Sequence, residues 1–141
     1  MRKRLGVLAI CLALIFTAGL VYAGTFYFPI WEMAPSAGIT TNIFVTSKTG
    51  GSVTVTYTGV DGTVITSSST TLSANGMVLF SGSDILTSTV LSDNASHLGS
   101  YTSAGYYLGA GYITAPDDAV IFVDVLFTAT NSGFSVPAEM K

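Results

Sequence analysis

From residue 24 onward the chain alternates. In residues 52–58, SVTVTYT, Val53, Val55 and Tyr57 interleave with Thr54, Thr56 and Thr58. A period of two belongs to a strand with one face buried and one face wet. The same period predicts strands over 25–31 (TFYFPIW), 40–46 (TTNIFVT), 63–66, 70–74 and 77–80. Pro29 has no N–H to give a ladder, so it confines the first strand to an edge or marks a bulge. Residues 48–51 (KTGG) predict a turn, and Asp61-Gly62 and Asn75-Gly76 predict hairpins. The serines at 67–69 read as a loop or a solvated strand edge.

Residues 81–100 carry no regular period. They predict a long loop with room for one helical turn, capped by Ser83 or Asp84. Residues 101–114, rich in Gly and Tyr, predict a strand pair or one long bent strand. Residues 115–118 (APDD) predict a turn, and residues 133–136 a short strand that closes a sheet. The segment 119–128, AVIFVDVLFT, is apolar on both faces: Val120, Phe122 and Leu126 on one, Ile121, Val123, Val125 and Phe127 on the other. Such a strand is covered on both sides. In a two-layer sandwich the partner sheet covers only one side. The other needs a loop, the 101–114 segment, or another subunit. Seven or eight short strands at this spacing predict an all-β chain, a single antiparallel β-sandwich in preference to a small barrel.

The N-terminus is built differently. Arg2, Lys3 and Arg4 precede an almost unbroken apolar run, LGVLAICLALIFTAGL, which ends in small residues before Gly24. That layout predicts a helical secretory signal peptide over residues 1–23, cleaved after Ala23, ahead of a β-sandwich domain over 24–141. An uncleaved anchor is the main rival, since about 20 apolar residues span a bilayer. A lipoprotein site at Cys11 is disfavoured by Ile10 before it, and a pilin-type leader by the absence of a Glu after the cut. Cleavage places the product in the periplasm, at the cell surface or outside the cell, with no membrane contact of its own.

Charge narrows the partners. Residues 24–141 hold all eight acids but only Lys48 and Lys141 as bases, a net charge of −6, and no Cys. Phosphate neutralisation needs clustered Lys and Arg, so nucleic acid is excluded as a partner. Without a disulfide, stability rests on a packed core, which a domain of this length supports.

Candidate chemistry is sparse. His97 is the only histidine and lies in a polar stretch, DNASH, with no Gly-x-Ser-x-Gly elsewhere. It reads as a solvated loop residue. No His or Cys cluster offers a zinc site. Asp93, Asp117 and Asp118 fall in expected loops, but no calcium-loop pattern joins them. No cofactor is expected. Asp124, set among Phe122, Val123, Val125 and Leu126, is either a perturbed acid or a carboxylate at a subunit contact, or else a sheet-rim residue bonding backbone amides or Thr hydroxyls. Trp31, Tyr106, Tyr107 and Tyr112 are aromatic candidates for ligand stacking or interface anchoring, against the plainer reading as core.

The stretch TTNIFVTSKTGGSVTVTYTGVDGTVITSSSTTLSANGMVLF, with GYITAPDDAVIFVDVLF later, resembles a group of small bacterial β-sandwich domains of secreted proteins. The shared features are a Thr-rich strand, a polar turn, an alternating strand, Asp61-Gly62, the Leu72-Ala74-Gly76 spacing and a closing apolar strand. In layout it is similar to the sensory rhodopsin transducer proteins, which are oligomeric β-sandwiches. The resemblance implies the fold and does not imply the transducer role. Together these readings lead to a non-enzymatic exported protein that acts by assembly: a homo-oligomer, a partner of another envelope protein, a surface or filament subunit, or an adhesive module. A monomeric module that stacks a carbohydrate or other small ligand on its aromatics is the alternative.

Overall fold

The structure, a computed structural model, describes residues 23–100, 105–127, 130 and 132–140. The expected leader therefore lies outside the described residues except for Ala23, which opens the first strand. Ten strands run in chain order: β1 (Ala23–Met33), β2 (Ile39–Ser47), β3 (Gly51–Thr58), β4 (Val64–Leu72), β5 (Gly76–Ser81), β6 (Gly99–Ser100), β7 (Tyr107–Pro116), β8 (Val120–Phe127), β9 (Ser132–Pro137) and β10 (Glu139–Met140). Eight of them have six residues or more. Every pairing among the described residues is antiparallel. A six-stranded sheet has the order β10-β1-β7-β3-β4, with β6 also on β7, and a four-stranded sheet has the order β5-β2-β8-β9. The all-β sandwich expected from the period of two is the fold observed.

Alternation builds the core from both sheets. Val53, Val55 and Tyr57 of β3, Ile113 of β7 and Phe28 of β1 face Ile43 and Val45 of β2 and Val123 of β8, all buried. The glycines of β7 have a packing reason. A Cβ on Gly111 would lie 2.3 Å from Phe28 Cζ, and one on Gly109 would lie 2.6 Å from Trp31 Nε1. The two rings occupy the space that side chains would fill. Tyr57 meets both edge-on, with centroids 6.0 Å from Phe28 and 6.1 Å from Trp31. The β1–β7 register shifts between Phe28 and Trp31, so Pro29 lies in a bulge.

Several local expectations give way to tertiary packing. Residues 67–69 take the strand-edge reading and not the loop: β4 runs unbroken from Val64 to Leu72, pairs its serines with β3 and ends its sheet. Asn75-Gly76 does not close a hairpin. Asn75 is left-handed (φ 57°), but the turn carries the chain from β4 in one sheet to β5 in the other. The 48–51 turn likewise crosses between the sheets, with Gly50 and Gly51 at positive φ. Residues 81–100 are more ordered than a long loop. They form two short helices, Gly82–Ile85 and Ser88–Asp93, and a 3-10 turn, Ala95–His97. Leu86, Leu91 and Leu98 from this segment are buried in the main core, which fixes helices too short to hold by themselves. Thr56 and Thr58 lie on the outer side of β3 but are buried, because β3 is central and Tyr112 stands directly opposite Thr56.

Candidate functional site

The four-stranded sheet presents an unusual outer face. Side chains at even positions of β2 point outward, since Ile43 and Val45 point into the core. Register then sets the outer rows. Leu79 of β5, Phe44 of β2 and Phe122 of β8 stand side by side. The next row is Met77, Thr46 and Val120. On the other side of the phenylalanine row lie Ser81, Asn42, Asp124 and Ser135, and beyond them Thr40, Leu126 and Gly133.

These two apolar rows are left in solvent. Met77 is 68% exposed, Leu79 48%, Val120 52% and Phe122 56%. Among the described residues neither intrachain candidate covers the second side of β8: β7 belongs to the opposite sheet, and Val120 and Phe122 stay exposed, while residues 101–104 of the expected 101–114 segment lie outside the described residues. A contiguous apolar patch of this kind calls for an explanation, whereas isolated exposed apolar residues need none.

Asp124 sits in the polar row beside the patch. It is half-buried and accepts a hydrogen bond from Ser135 Oγ on β9. Its neighbours Leu126, Gly133 and Phe134 line a cleft of about 500 Å³ with it. Gly133 leaves that cleft open next to the side chain of Leu126. Asp124 thus has a hydroxyl partner much as in the rim reading, though from Ser135 and not a threonine, and it borders the apolar rows.

The aromatic candidates separate. Trp31 is wholly buried and its Nε1–H donates to the Thr58 carbonyl at 3.0 Å, so it belongs to the core and cannot stack on a ligand. Tyr106 donates its hydroxyl to the carboxylate of Glu32. Tyr107 packs against the main core. Tyr112, on the outer face of the six-stranded sheet, forms a tilted pair with Tyr27 at 6.0 Å. The structure does not bring the five candidates into one site.

Other polar groups tie elements together. Glu32, 7% exposed, joins the sheets: its N–H donates to Thr41 Oγ1, and the same hydroxyl donates back to the Glu32 carbonyl, both at 2.9 Å. Sequence reading passed over Glu32 because nothing in WEM marks a buried carboxylate. Asp118 collects Ser47 Oγ at 2.6 Å, Thr49 Oγ1 at 2.9 Å and the N–H groups of Lys48 and Thr49. These bonds, that of Ser47 first, hold its carboxyl below the usual range. Asp118 is therefore a clamp between the 48–51 turn and the β7–β8 turn. His97 Nδ1 lies 2.8 Å from Asp61 Oδ2, and the Val60 N–H donates to the His97 carbonyl at 3.0 Å. His97 latches the β3–β4 hairpin to the 3-10 turn. Among the described residues no group of three or more His, Cys, Asp or Glu is placed to hold a metal ion.

No family model matches the chain, and no curated protein matches it. Among solved structures the chain is similar to FlgD from Xanthomonas campestris, described in connection with hook capping and flagellar assembly, at 18% identity and a TM-score of 0.33, over 85% of this chain and 70% of that one. A likeness at that level assigns no family to the chain.

Proposed function

We propose that this chain is an exported, non-catalytic β-sandwich that works by assembly with protein at the cell surface or in the periplasm, and that the outer face of its four-stranded sheet is the contact. The observation that carries the reading is the joined pair of apolar rows, Leu79–Phe44–Phe122 and Met77–Thr46–Val120, left half in water by the described residues. Leaving such side chains half exposed costs about 1 kcal/mol each relative to burial. Interfaces recover that energy, with Phe and Met enriched in their buried centres.

The test places a photo-crosslinking amino acid at Phe122 and, as a control, at Thr70 on β4, in cells producing the protein. Protein adducts at 122 well above those at 70 are expected. Equal trace labelling at both positions would remove the reading.

The Tyr27–Tyr112 pair favours a second reading, in which a sugar ring stacks on the six-stranded sheet. Retardation in polysaccharide-containing native gels that is lost in Tyr112→Ala would support it. Unretarded migration of the native protein in all such gels would dispose of it.

A further inference from the structure

We infer that the partner at this face is a second copy of the chain, related by a two-fold axis that lies in the interface, crosses the strands and passes between the two apolar rows. The inference rests on the assembly reading above and names the occupant.

The first ground is self-complementarity. A two-fold contact sets residue i on residue j and j on i. An axis at the level of Val45 exchanges the level of Phe44 with that of Thr46. Phe44 of one copy then lies on Thr46 of the other, Phe122 on Val120, and Leu79 on Met77. In the β2 and β8 columns an aromatic ring meets a small β-branched side chain. In the β5 column Leu meets the adaptable Met. Bulky rows thus settle on slighter ones from both directions, as in a packed core. The strands of the two copies run nearly aligned, as in sheet-on-sheet packing.

The second ground is charge. Apart from Asp124, the four outer rows carry no ionisable side chain. A neutral face does not repel its own image. Lys48 is the only Lys or Arg among the described residues. It follows β2 two positions beyond Thr46. The same axis exchanges the level of Asn42 with that of position 48, so Lys48 of each copy comes over the Asn42–Asp124 row of the other. Asp118, at the same end, is already occupied by Ser47 and Thr49. Asp118 and the exposed Asp117 keep their charge at that end, so the complementarity is local: Lys48 of each copy against Asp124 of the other.

The third ground is area. Two strands of nine and eight residues flanked by two of six, about 4.8 Å apart and rising about 3.3 Å per residue, give a face of about 400–500 Å² before side-chain relief. That lies below the ~800 Å² per partner of a standard stable interface and suits a reversible dimer.

Sedimentation velocity of the purified protein over a wide concentration range tests the inference. A reversible dimer is expected. Phe122→Lys and Leu79→Lys, both at exposed positions, are each expected to give monomers with the circular dichroism of the native protein. Lys48→Glu is expected to weaken dimerisation by about 3–10-fold, and the double variant Lys48→Glu/Asp124→Lys to restore it. A monomer at every concentration would overturn the inference. So would a dimer that survives both Phe122→Lys and Leu79→Lys. A dimer lost on Phe122→Lys but indifferent to Lys48→Glu would overturn the stated axis. A monomeric protein that still crosslinks at Phe122 to a different chain would refute the second copy and leave the assembly reading standing. Absence of any adduct would remove both.

Discussion

Tyr57 sits between the rings of Phe28 and Trp31 with its hydroxyl buried and without a hydrogen-bond partner among the described residues. Burial pushes that hydroxyl far above the usual phenol range, so it stays protonated at any ordinary pH. An unpartnered buried hydroxyl costs free energy, whereas the ring contributes packing. Tyr57→Phe is therefore expected to leave stability unchanged or raise it by up to about 1 kcal/mol in urea unfolding. Tyr57→Ala is expected to lose about 3–5 kcal/mol. At the surface, the bonds from His97 first and the Thr63 N–H next bring the Asp61 carboxyl down from 3.8 to about 2. The folded value is the lower one. The latch thus favours folding fully above about 4, and that contribution fades as pH falls from about 4 towards 2. A carboxyl-carbon NMR titration of Asp61 should show a midpoint near 2, and a midpoint near 3.8 would show that the latch does not form. Tyr57 and Asp61 were both placed correctly by the sequence, in a strand and a turn. Their partners were not, because Trp31 and His97 come from strands and turns whose pairing the local pattern does not fix.

At the scale of elements, what was legible followed from the period of two. The strands β2, β3 and β8 and the inward set Ile121, Val123, Val125 stand as read, because a half-buried strand must alternate. Asn75-Gly76 misled because a left-handed residue serves a corner between sheets as well as a hairpin. The serines of β4 left loop and strand edge both open because their strand conformation comes from the ladder with β3, not from their own propensity. The helices at 82–93 left no period to find, being shorter than two turns and fixed by Leu86 and Leu91. The exposed apolar face was half legible: apolar residues on both sides of β8 required a second cover. Phe44, Leu79 and Met77 joined that face only once register was known. Register also explains the glycines of β7. Gly111 pairs with Phe28 on one side and Tyr57 on the other, and an added Cβ would meet Phe28 Cζ at 2.3 Å and the Thr56 carbonyl at 2.4 Å. Neither the packed ring nor the backbone can move freely. Gly111→Ala is expected to cost about 1–3 kcal/mol in chemical denaturation. A loss below 0.5 kcal/mol, on the order of a neutral surface change, would show that β1 and β7 separate easily.

For the whole molecule, the scarcity of charge has two consequences that differ in kind. On the outer face of the four-stranded sheet it leaves side chains free to meet, which suits a reversible contact between folded molecules. On the edge of the six-stranded sheet it leaves backbone free to meet. The strand β4 is nine residues long and ends that sheet, and none of its residues is Lys, Glu or Pro. Natural sheets usually guard such an edge with charge or proline. Here the serine and threonine side chains hydrate the edge without repelling an identical strand. Face contact should therefore be quick and concentration-dependent, while edge pairing should appear only when β4 loosens, at raised temperature or in mild denaturant. Ser67 and Thr71 lie on the outer side of β4, opposite Thr56 and Ser52. Lysines at those two positions would place like charges along any strand-to-strand joint. Ser67→Lys/Thr71→Lys is expected to suppress thioflavin-positive growth on heating and leave the sedimentation of the folded protein unchanged. Growth at the native rate would locate the aggregating edge elsewhere, and a shift in folded-state sedimentation would place the edge, not the face, in the native contact.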